Sequence, residues 1–256
     1  MVTYLLKKSY QHKDLKEVIF KDLWGGYGIF TTMWIFGKPA KILFFKKHIK
    51  NLIKSLKFYR LNKTNLEKNI LILIKKNIKK NRKYNHLLRV AVNNKVISIS
   101  LRKRLNPKSR FNLKLINYNR DKPEHKNLKY QIILKHLSKM NPTNSDIGLC
   151  NNKQIFESGT SNILFIKKDN VFSPINKIYK GITFKFFENK FKKISMKKIL
   201  IKSLKDFDEI ILIGSGKGVA SVNTIKDIKW KRKSLKFYKI FSNLYKTEIN
   251  KCSIYR

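Results

Sequence analysis

Residues 155–173 read Ile155-Phe156-Glu157-Ser158-Gly159-Thr160-Ser161-Asn162-Ile163-Leu164-Phe165-Ile166-Lys167-Lys168-Asp169-Asn170-Val171-Phe172-Ser173. The apolar runs at 155–157, 161–166 and 171–173 predict three short consecutive strands. Asp169-Asn170 has the side chains of a hairpin tip, because short polar residues tolerate the backbone conformations of tight turns. The stretch therefore predicts a sheet in the second half of the chain.

Helical and strand patterns alternate on the C-terminal side of this stretch. Gly181-Ile182-Thr183 leads into a Phe-rich helix over 184–191. Residues 210–213 form a fully apolar strand that ends in Gly214-Ser215-Gly216-Lys217-Gly218, and residues 219–228 predict another strand. A last helix has apolar residues at 237, 240, 241 and 244.

The first half of the chain shows the same mixture. Apolar spacing predicts helices over 44–61 and 66–78, the second with Asn65 as its N-cap. Residues 87–92 and 96–101 flank Asn93-Asn94-Lys95 and predict a hairpin. After a basic, polar stretch over 102–120, Asp121-Lys122-Pro123-Glu124 predicts a domain boundary. We expect an α/β (α+β) protein with domains at 1–120 and 121–256.

Composition excludes several classes of protein. The 59 basic and 15 acidic residues give a net charge of +44, which is typical of proteins that bind nucleic acid or acidic membranes. However, 50 lysines, only 9 arginines, 33 isoleucines and 25 asparagines indicate an AT-rich coding bias, whereas a phosphate-binding surface favours Arg. No apolar run approaches the ~18 residues of a membrane span, and the N-terminal segment lacks a signal peptide's apolar core. We expect a cytoplasmic protein that does not bind a membrane or nucleic acid.

The spacing of Cys and His predicts neither a disulfide framework nor a metal site. Cys150 and Cys252 form no CxxC pair, and the five histidines show no close ligand spacing. No metal is expected, and both cysteines are expected to be buried free thiols.

Two glycine-containing turns are candidate anion sites. The 214–218 turn fails both the P-loop and the dinucleotide-binding patterns, because position 211 is Ile and position 219 is Val. Backbone N–H groups of such a turn can still form an anion nest, although a purely structural turn is the simpler interpretation. Gly181-Ile182-Thr183 offers a helix N-terminus with a hydroxyl. Two such sites in one half of the chain favour a phosphate ligand.

Lys126 and Glu157 are candidates for covalent and acid–base chemistry. Lys126 lies after the Pro123 turn, ahead of a helix and near other cations, which favours the free amine that a Schiff base requires. The simpler alternative is a solvated lysine. Glu157 is one of few acids and could accept a hydrogen bond from a protonated ring nitrogen or form a surface ion pair.

Six elements follow one another along the chain: Gly26-Tyr27-Gly28-Ile29-Phe30-Thr31-Thr32, His48-Ile49-Lys50-Asn51-Leu52 with Ser55, Lys126-Asn127-Leu128-Lys129, residues 157–165, Ser173-Pro174 with Gly181-Ile182-Thr183, and Asp208-Glu209 with Gly214-Ser215 and Val222. In this order they resemble the class IV (fold type IV) pyridoxal-phosphate enzymes, the group of branched-chain aminotransferase, D-amino-acid aminotransferase and 4-amino-4-deoxychorismate lyase.

The resemblance implies a cofactor, a fold and a role for each candidate residue. Pyridoxal 5′-phosphate would form a Schiff base with Lys126, which would also move the substrate's α-proton. Glu157 would pair with the pyridine nitrogen and keep the ring an electron sink. The 5′-phosphate would lie on four residues: Ile182, Thr183, Ser215 and Gly216. The family's fold has two α/β domains with the active site between them, usually in a homodimer.

Two residues depart from the family pattern. Asn51 and Phe184 stand where the family has arginines, and losing a bidentate phosphate partner weakens cofactor affinity. Lys54, three residues from Asn51, is a hypothetical substitute because it would share the same face of the helix.

The reaction remains open between two outcomes. Phe30-Thr31-Thr32 and the short spacing from Lys126 to Tyr130 favour the lyase and D-amino-acid branch. We expect an aminotransferase-like enzyme acting on amino acids, with the lyase, which yields p-aminobenzoate and pyruvate for folate biosynthesis, as the alternative. A degenerate family member and a basic RNA-binding protein are the remaining alternatives. Substrate identity and stereochemistry are not predicted.

Overall fold

A computed structural model describes residues 3–255 of the chain, which form two compact units. Unit 1 contains residues 3–104, His125–Tyr130 and 251–255. Unit 2 contains Leu105–Glu124 and Gln131–Asn250.

Unit 1 contains an antiparallel sheet and two helices. Its elements are β1 (Tyr4–Gln11), β2 (Glu17–Val18), β3 (Ile29–Gly37), β4 (Lys41–Ile42), α1 (Phe45–Phe58), α2 (Leu66–Asn77), β5 (Tyr84–Val92) and β6 (Val96–Lys103). Within the described residues the six strands follow the order β2-β1-β6-β5-β3-β4.

The core of unit 1 lies on one face of this sheet, where alternate strand residues meet the two helices. In β3, Ile29, Met33 and Ile35 are buried in the same cluster as Leu52 and Leu56 of α1. These helix residues are spaced by four, which places both on one face of α1. Burying both apolar faces removes them from water and stabilises the unit.

Unit 2 contains a larger mixed sheet. Its elements are β7 (Phe111–Asn117), α3 (Gln131–Leu137), β8 (Ser145–Cys150), β9 (Gln154–Ser158), β10 (Asn162–Lys167), β11 (Asn170–Pro174), α4 (Ile182–Lys190), β12 (Ile194–Lys197), β13 (Ile199–Leu200), β14 (Glu209–Gly214), β15 (Gly218–Ile225), β16 (Trp230–Lys231) and α5 (Lys236–Asn250). In the described part of the chain the sheet order is β12-β11-β10-β14-β15-β7-β8-β9-β13, and β16 pairs with β15. The neighbours β7 and β8 run parallel, as do β7 and β15 and also β11 and β12.

The structure confirms the α/β class and most predicted elements. The stretch over 155–173 forms β9, β10 and β11, and the hairpin around residues 93–95 forms β5 and β6. Asn65 occupies the predicted N-cap position of α2, but its side chain makes no capping hydrogen bond and its φ is 60°.

One strand was not predicted, and one prediction about the cysteines was wrong. The basic stretch over 102–120 contains a strand, β7, which pairs with β15 and β8 in the sheet. Cys252 is partly exposed, whereas Cys150 is buried as expected and donates its Sγ–H to the carbonyl of Ile116 at 3.2 Å. Burial raises the pKa of the Cys150 thiol.

The division of the chain after residue 120 remains a prediction, and the compact units are drawn differently. Segment 125–130 belongs to unit 1 because it pairs with the start of β3. The amide of Phe30 donates to the carbonyl of Lys126 at 2.9 Å, and the amide of Leu128 donates to the carbonyl of Gly28 at 2.9 Å. Long-range pairing of this kind leaves no signal in local composition.

None of the helices formed by residues 3–255 is both long and apolar enough to span a membrane.

Candidate active site

The predicted site residues are distributed over both units. Lys126 belongs to unit 1, whereas the other five residues, Glu157, Ile182, Thr183, Ser215 and Gly216, belong to unit 2.

Lys126 is fixed through its backbone and surrounded by aromatic rings. It lies in an extended segment along β3, not in a helix, and Asn127 bridges to Ile29. Its Nζ lies 4.9 Å from the ring centroid of Phe30 and 5.9 Å from that of Tyr130. The centroids of these two rings lie 5.3 Å apart in an edge-to-face arrangement, so the amine lies against an aromatic surface.

Gly28 permits this arrangement. A Cβ at Gly28 would lie 2.4 Å from the carbonyl oxygen of Val92 and 2.5 Å from Cδ1 of Leu128. Both distances are shorter than any real contact of a methyl group. Residue 28 must therefore lack a side chain for the Lys126 segment to pair with β3.

His48 adds a buried polar group on the same side of unit 1. Its Nδ1 lies 2.8 Å from Oγ1 of Thr31, and both residues are buried. Burial and, second, the charge of Lys126 lower the pKa of His48 to about 3. The imidazole is therefore neutral at ordinary pH, and the Coulombic effect places it within electrostatic reach of the Lys126 amine.

Glu157 lies in the interior of unit 2 with a buried cation. Its Oε1 accepts from Nε of Arg120 at 2.5 Å, and its Oε2 accepts from the amide of Tyr179 at 3.2 Å. An ionised carboxylate has about four acceptor positions, so Glu157 can accept another donor such as a pyridinium N–H. The Arg120 guanidinium holds the carboxylate in place and leaves acceptor positions for this role.

Arg120 was not among the predicted site residues. Its side chain is 1% exposed, and its Nη2 also donates to the carbonyl of Pro123 at 2.5 Å. The composition contained a signal for Arg120, because arginine is rare in a chain with 50 lysines. An arginine at a buried position indicates a need for the planar, forked guanidinium.

Asn162 connects the Glu157 strand region to the start of α4. Its Oδ1 accepts from the amide of Gly181 at 3.1 Å, and its Nδ2 donates to the carbonyl of Tyr179 at 2.7 Å. Gly181 precedes the first residue of α4, so Asn162 fixes the N-terminus of this helix.

Thr183 places a hydroxyl at that helix N-terminus. It is 1% exposed, and its Oγ1 has no hydrogen-bond partner among residues 3–255. A buried hydroxyl without a partner is costly, so this atom calls for an additional acceptor. The N-terminus of α4 also favours negative charge, because its first amides point away from the helix.

The 214–218 turn connects β14 to β15 and carries Ser215 and Gly216. Gly214 lies against the preceding turn, since a Cβ there would be 3.1 Å from Oγ of Ser161. The Ser161 hydroxyl is buried and likewise has no partner within the described chain. Two unpartnered hydroxyls and a helix N-terminus in unit 2 therefore suit a phosphate group.

The residues that depart from the family pattern are neutral in this structure. Asn51 lies on α1, and Phe184 is buried in the first turn of α4. Lys54 is exposed on α1, and its role as a substitute cation remains a prediction.

Known structures share this fold over nearly the whole chain. A branched-chain aminotransferase from the thermophilic archaeon Thermoproteus uzoniensis, with norvaline, matches with a TM-score of 0.73 at 14% identity, covering 95% of this chain and 93% of that one. The PLP-bound form of a hypothetical aminotransferase from Mycobacterium tuberculosis matches with a TM-score of 0.67 at 14% identity, covering 95% and 99%. At these identities the likeness shows the fold alone.

A putative 4-amino-4-deoxychorismate lyase from Legionella pneumophila has the same fold. It matches with a TM-score of 0.67 at 17% identity, covering 86% of this chain and 91% of that one. The search of curated proteins gave no match.

The family is decided by a match to the sequence itself. The model of the amino-transferase class IV family matches residues 28–225, which include Lys126, Glu157 and both glycine-containing turns. The chain therefore belongs to the class IV aminotransferase family, and pyridoxal 5′-phosphate is its cofactor.

Proposed function

We propose that this enzyme transfers amino groups between amino acids and keto acids, with Lys126 as the residue that holds the cofactor covalently. The observation that carries the proposal is the environment of Lys126: its backbone is fixed to β3, and its amine lies against Phe30 and Tyr130. A lysine fixed in this way can present the same atom to the cofactor and to the substrate's α-proton.

The remaining roles follow from unit 2. Glu157, held in place by its hydrogen bond from Arg120, would bind the pyridine nitrogen. The first turn of α4, with Ile182 and the Thr183 hydroxyl, would bind the 5′-phosphate together with the turn that carries Ser215 and Gly216. The bound cofactor supplies an electron-accepting ring that stabilises the charge left after proton removal.

Reduction and peptide mapping test the role of Lys126. The protein is incubated with pyridoxal phosphate, reduced with borohydride and digested, and the modified lysine is identified by mass spectrometry. We expect one pyridoxyl group on Lys126 and none after Lys126→Ala, while the matched control Lys129→Ala, an exposed lysine three residues away, keeps it. Modification spread over surface lysines would contradict the proposal and would favour the degenerate family member.

The lyase is the second candidate, favoured by Phe30-Thr31-Thr32 and by the four-residue spacing from Lys126 to Tyr130. Elimination releases pyruvate without an amino acceptor, whereas transamination requires one. Purified enzyme is therefore supplied with 4-amino-4-deoxychorismate alone, or with amino acid and keto acid pairs. Production of pyruvate and p-aminobenzoate from the single substrate would assign the lyase and its folate-pathway role.

We also infer that the enzyme is a homodimer, as the family resemblance implies, and that it acts in the cytoplasm. Sedimentation equilibrium of the purified chain tests the oligomeric state: a mass near twice 30.4 kDa is expected, and a monomer would contradict it.

A further inference from the structure

Lys217 is a largely buried cation in the turn that carries Ser215 and Gly216. Its side chain is 11% exposed, and its ammonium donates to Oγ1 of Thr160 at 2.8 Å and pairs with Oδ2 of Asp146 at 3.1 Å. The low exposure of this side chain distinguishes Lys217 from the many solvated lysines of this chain.

Asp146 holds this ammonium in place. The carboxylate is fully buried and also accepts from the hydroxyls of Ser158 at 3.0 Å and Thr160 at 2.8 Å. The Asp146 carboxylate therefore has hydrogen-bond donors besides Lys217. An ammonium has three donors, and within residues 3–255 Lys217 uses one on Thr160 and one on Asp146.

Two buried hydroxyls without a hydrogen-bond partner among residues 3–255, those of Ser161 and Thr183, belong to segments that are linked to this turn. Ser161, next to Thr160, has the buried hydroxyl that faces Gly214, and Asn162 holds the amide of Gly181 at the start of α4. The Thr183 hydroxyl follows two residues later. The turn over 158–161, the turn over 214–218 and the helix N-terminus thus bring donors and one cation into a single region of unit 2.

We propose that Lys217 is an anion-binding residue of this active site: its ammonium, held by Asp146 and Thr160, donates its third N–H to an anionic oxygen group at the 214–218 turn. The proposal rests on the proposed function, which places the cofactor at this turn. Two sources share the chemistry: the 5′-phosphate of the cofactor and the carboxylate of an amino-acid substrate. Asn51 and Phe184 carry no charge, which leaves room for a cationic donor such as Lys217 at this turn.

The affinities of the protein for pyridoxal phosphate and for pyridoxal, which lacks the phosphate, distinguish the two sources of the anionic group. If the partner is the phosphate, Lys217→Met weakens the binding of pyridoxal phosphate roughly 10- to 100-fold and leaves the binding of pyridoxal unchanged. If the partner is the substrate carboxylate, Lys217→Met keeps the affinities for pyridoxal phosphate and for pyridoxal. The KM for amino acids then rises by about the same factor, while kcat changes less. The KM for amines that lack a carboxylate stays unchanged. Either result supports the proposal.

Two further variants distinguish charge from structure. Lys217→Arg should restore most of the affinity because it keeps the cation, and Lys226→Met, an exposed lysine in the same unit, controls for net charge. The proposal is overturned if Lys217→Met weakens pyridoxal phosphate and pyridoxal equally, or if it changes neither the affinities nor KM.

One measurement does not depend on Lys126. Inorganic phosphate should raise the thermal midpoint of the cofactor-free wild type more than that of Lys217→Met, provided the phosphate is the partner. A wild type that fails to trap the cofactor on Lys126 refutes the proposed function. Equal phosphate shifts, with substrate KM also unchanged, refute the role of Lys217.

Discussion

At the scale of single residues, the buried ion pair of Arg120 and Glu157 affects both the stability of the protein and its proposed function. Both side chains are buried, 1% and 6% exposed, so removing one leaves a charge in the interior without its partner. We expect Arg120→Met to lower the free energy of unfolding by roughly 3–5 kcal/mol. The double variant Arg120→Met/Glu157→Gln should recover part of this loss, because it removes the isolated charge.

Urea unfolding of the wild type and the variants measures this effect. The matched control is Lys236→Met, which breaks the exposed pair of Lys236 with Asp169 and should change stability by no more than about 1 kcal/mol. If Arg120→Met and Lys236→Met lowered the free energy of unfolding equally, burial would not determine how much these ion pairs contribute to stability.

His48 gives a prediction about pH. Its pKa is about 3 in the folded chain, where burial disfavours the charged form, and near 6.5 when unfolded. Between these values the unfolded chain binds more protons, so stability falls as the pH is lowered through this range, by at most about 1.4 kcal/mol per pH unit from this group.

The variant His48→Asn isolates that contribution. Asparagine can keep a hydrogen bond to Thr31 near the position of Nδ1, but it does not titrate. Urea unfolding between about pH 4 and pH 7 should show a smaller slope of stability against pH in the variant than in the wild type. Parallel curves would refute the assignment of a neutral buried histidine.

At the scale of secondary-structure elements, the pairing of segment 125–130 with β3 depends on Gly28. In Gly28→Ala the new methyl group would meet the carbonyl of Val92 and the side chain of Leu128, so the backbone of one strand must move. We expect a lower affinity for pyridoxal phosphate and less trapping on Lys126. Gly26→Ala is the matched control, because a Cβ there would meet only the carbonyl of Leu23 at 3.3 Å.

Elements with local signals could be predicted from the sequence, and those defined by distant partners could not. The spacing of apolar residues gave α1, and the alternation around residues 93–95 gave the β5–β6 hairpin. By contrast, β7 lies in a basic stretch, and its place in the sheet comes from parallel pairing with β15, about a hundred residues away.

The candidate site divides in the same way. Its motif residues could be named from the sequence, whereas the residues that support them across the fold could not. Arg120 meets Glu157 over 37 residues of chain, and Thr160 meets Lys217 over 57. Glu209 shows a second limit: its motif suggested part of the site, but its carboxylate accepts the amides of Phe237 and Tyr238 at 2.8 and 2.9 Å, at the start of α5.

At the scale of the whole molecule, the charge of +44 is not balanced internally. Three of the 15 acids, Asp146, Glu157 and Glu209, are buried and hold internal donors, so they are not available to the surface. The lysines must therefore repel one another in the compact state more than in the expanded chain.

This repulsion predicts that salt stabilises the protein. The Debye length falls from about 30 Å at 0.01 M to about 8 Å at 0.15 M, which screens exposed charges and leaves buried pairs nearly unaffected. We expect the thermal midpoint to rise over this range of sodium chloride. Potassium chloride at equal ionic strength should give the same rise, because screening does not depend on which of these cations is used. A constant or falling midpoint would show that self-repulsion does not limit stability, and tight RNA binding with a steep salt dependence would revive the nucleic-acid alternative.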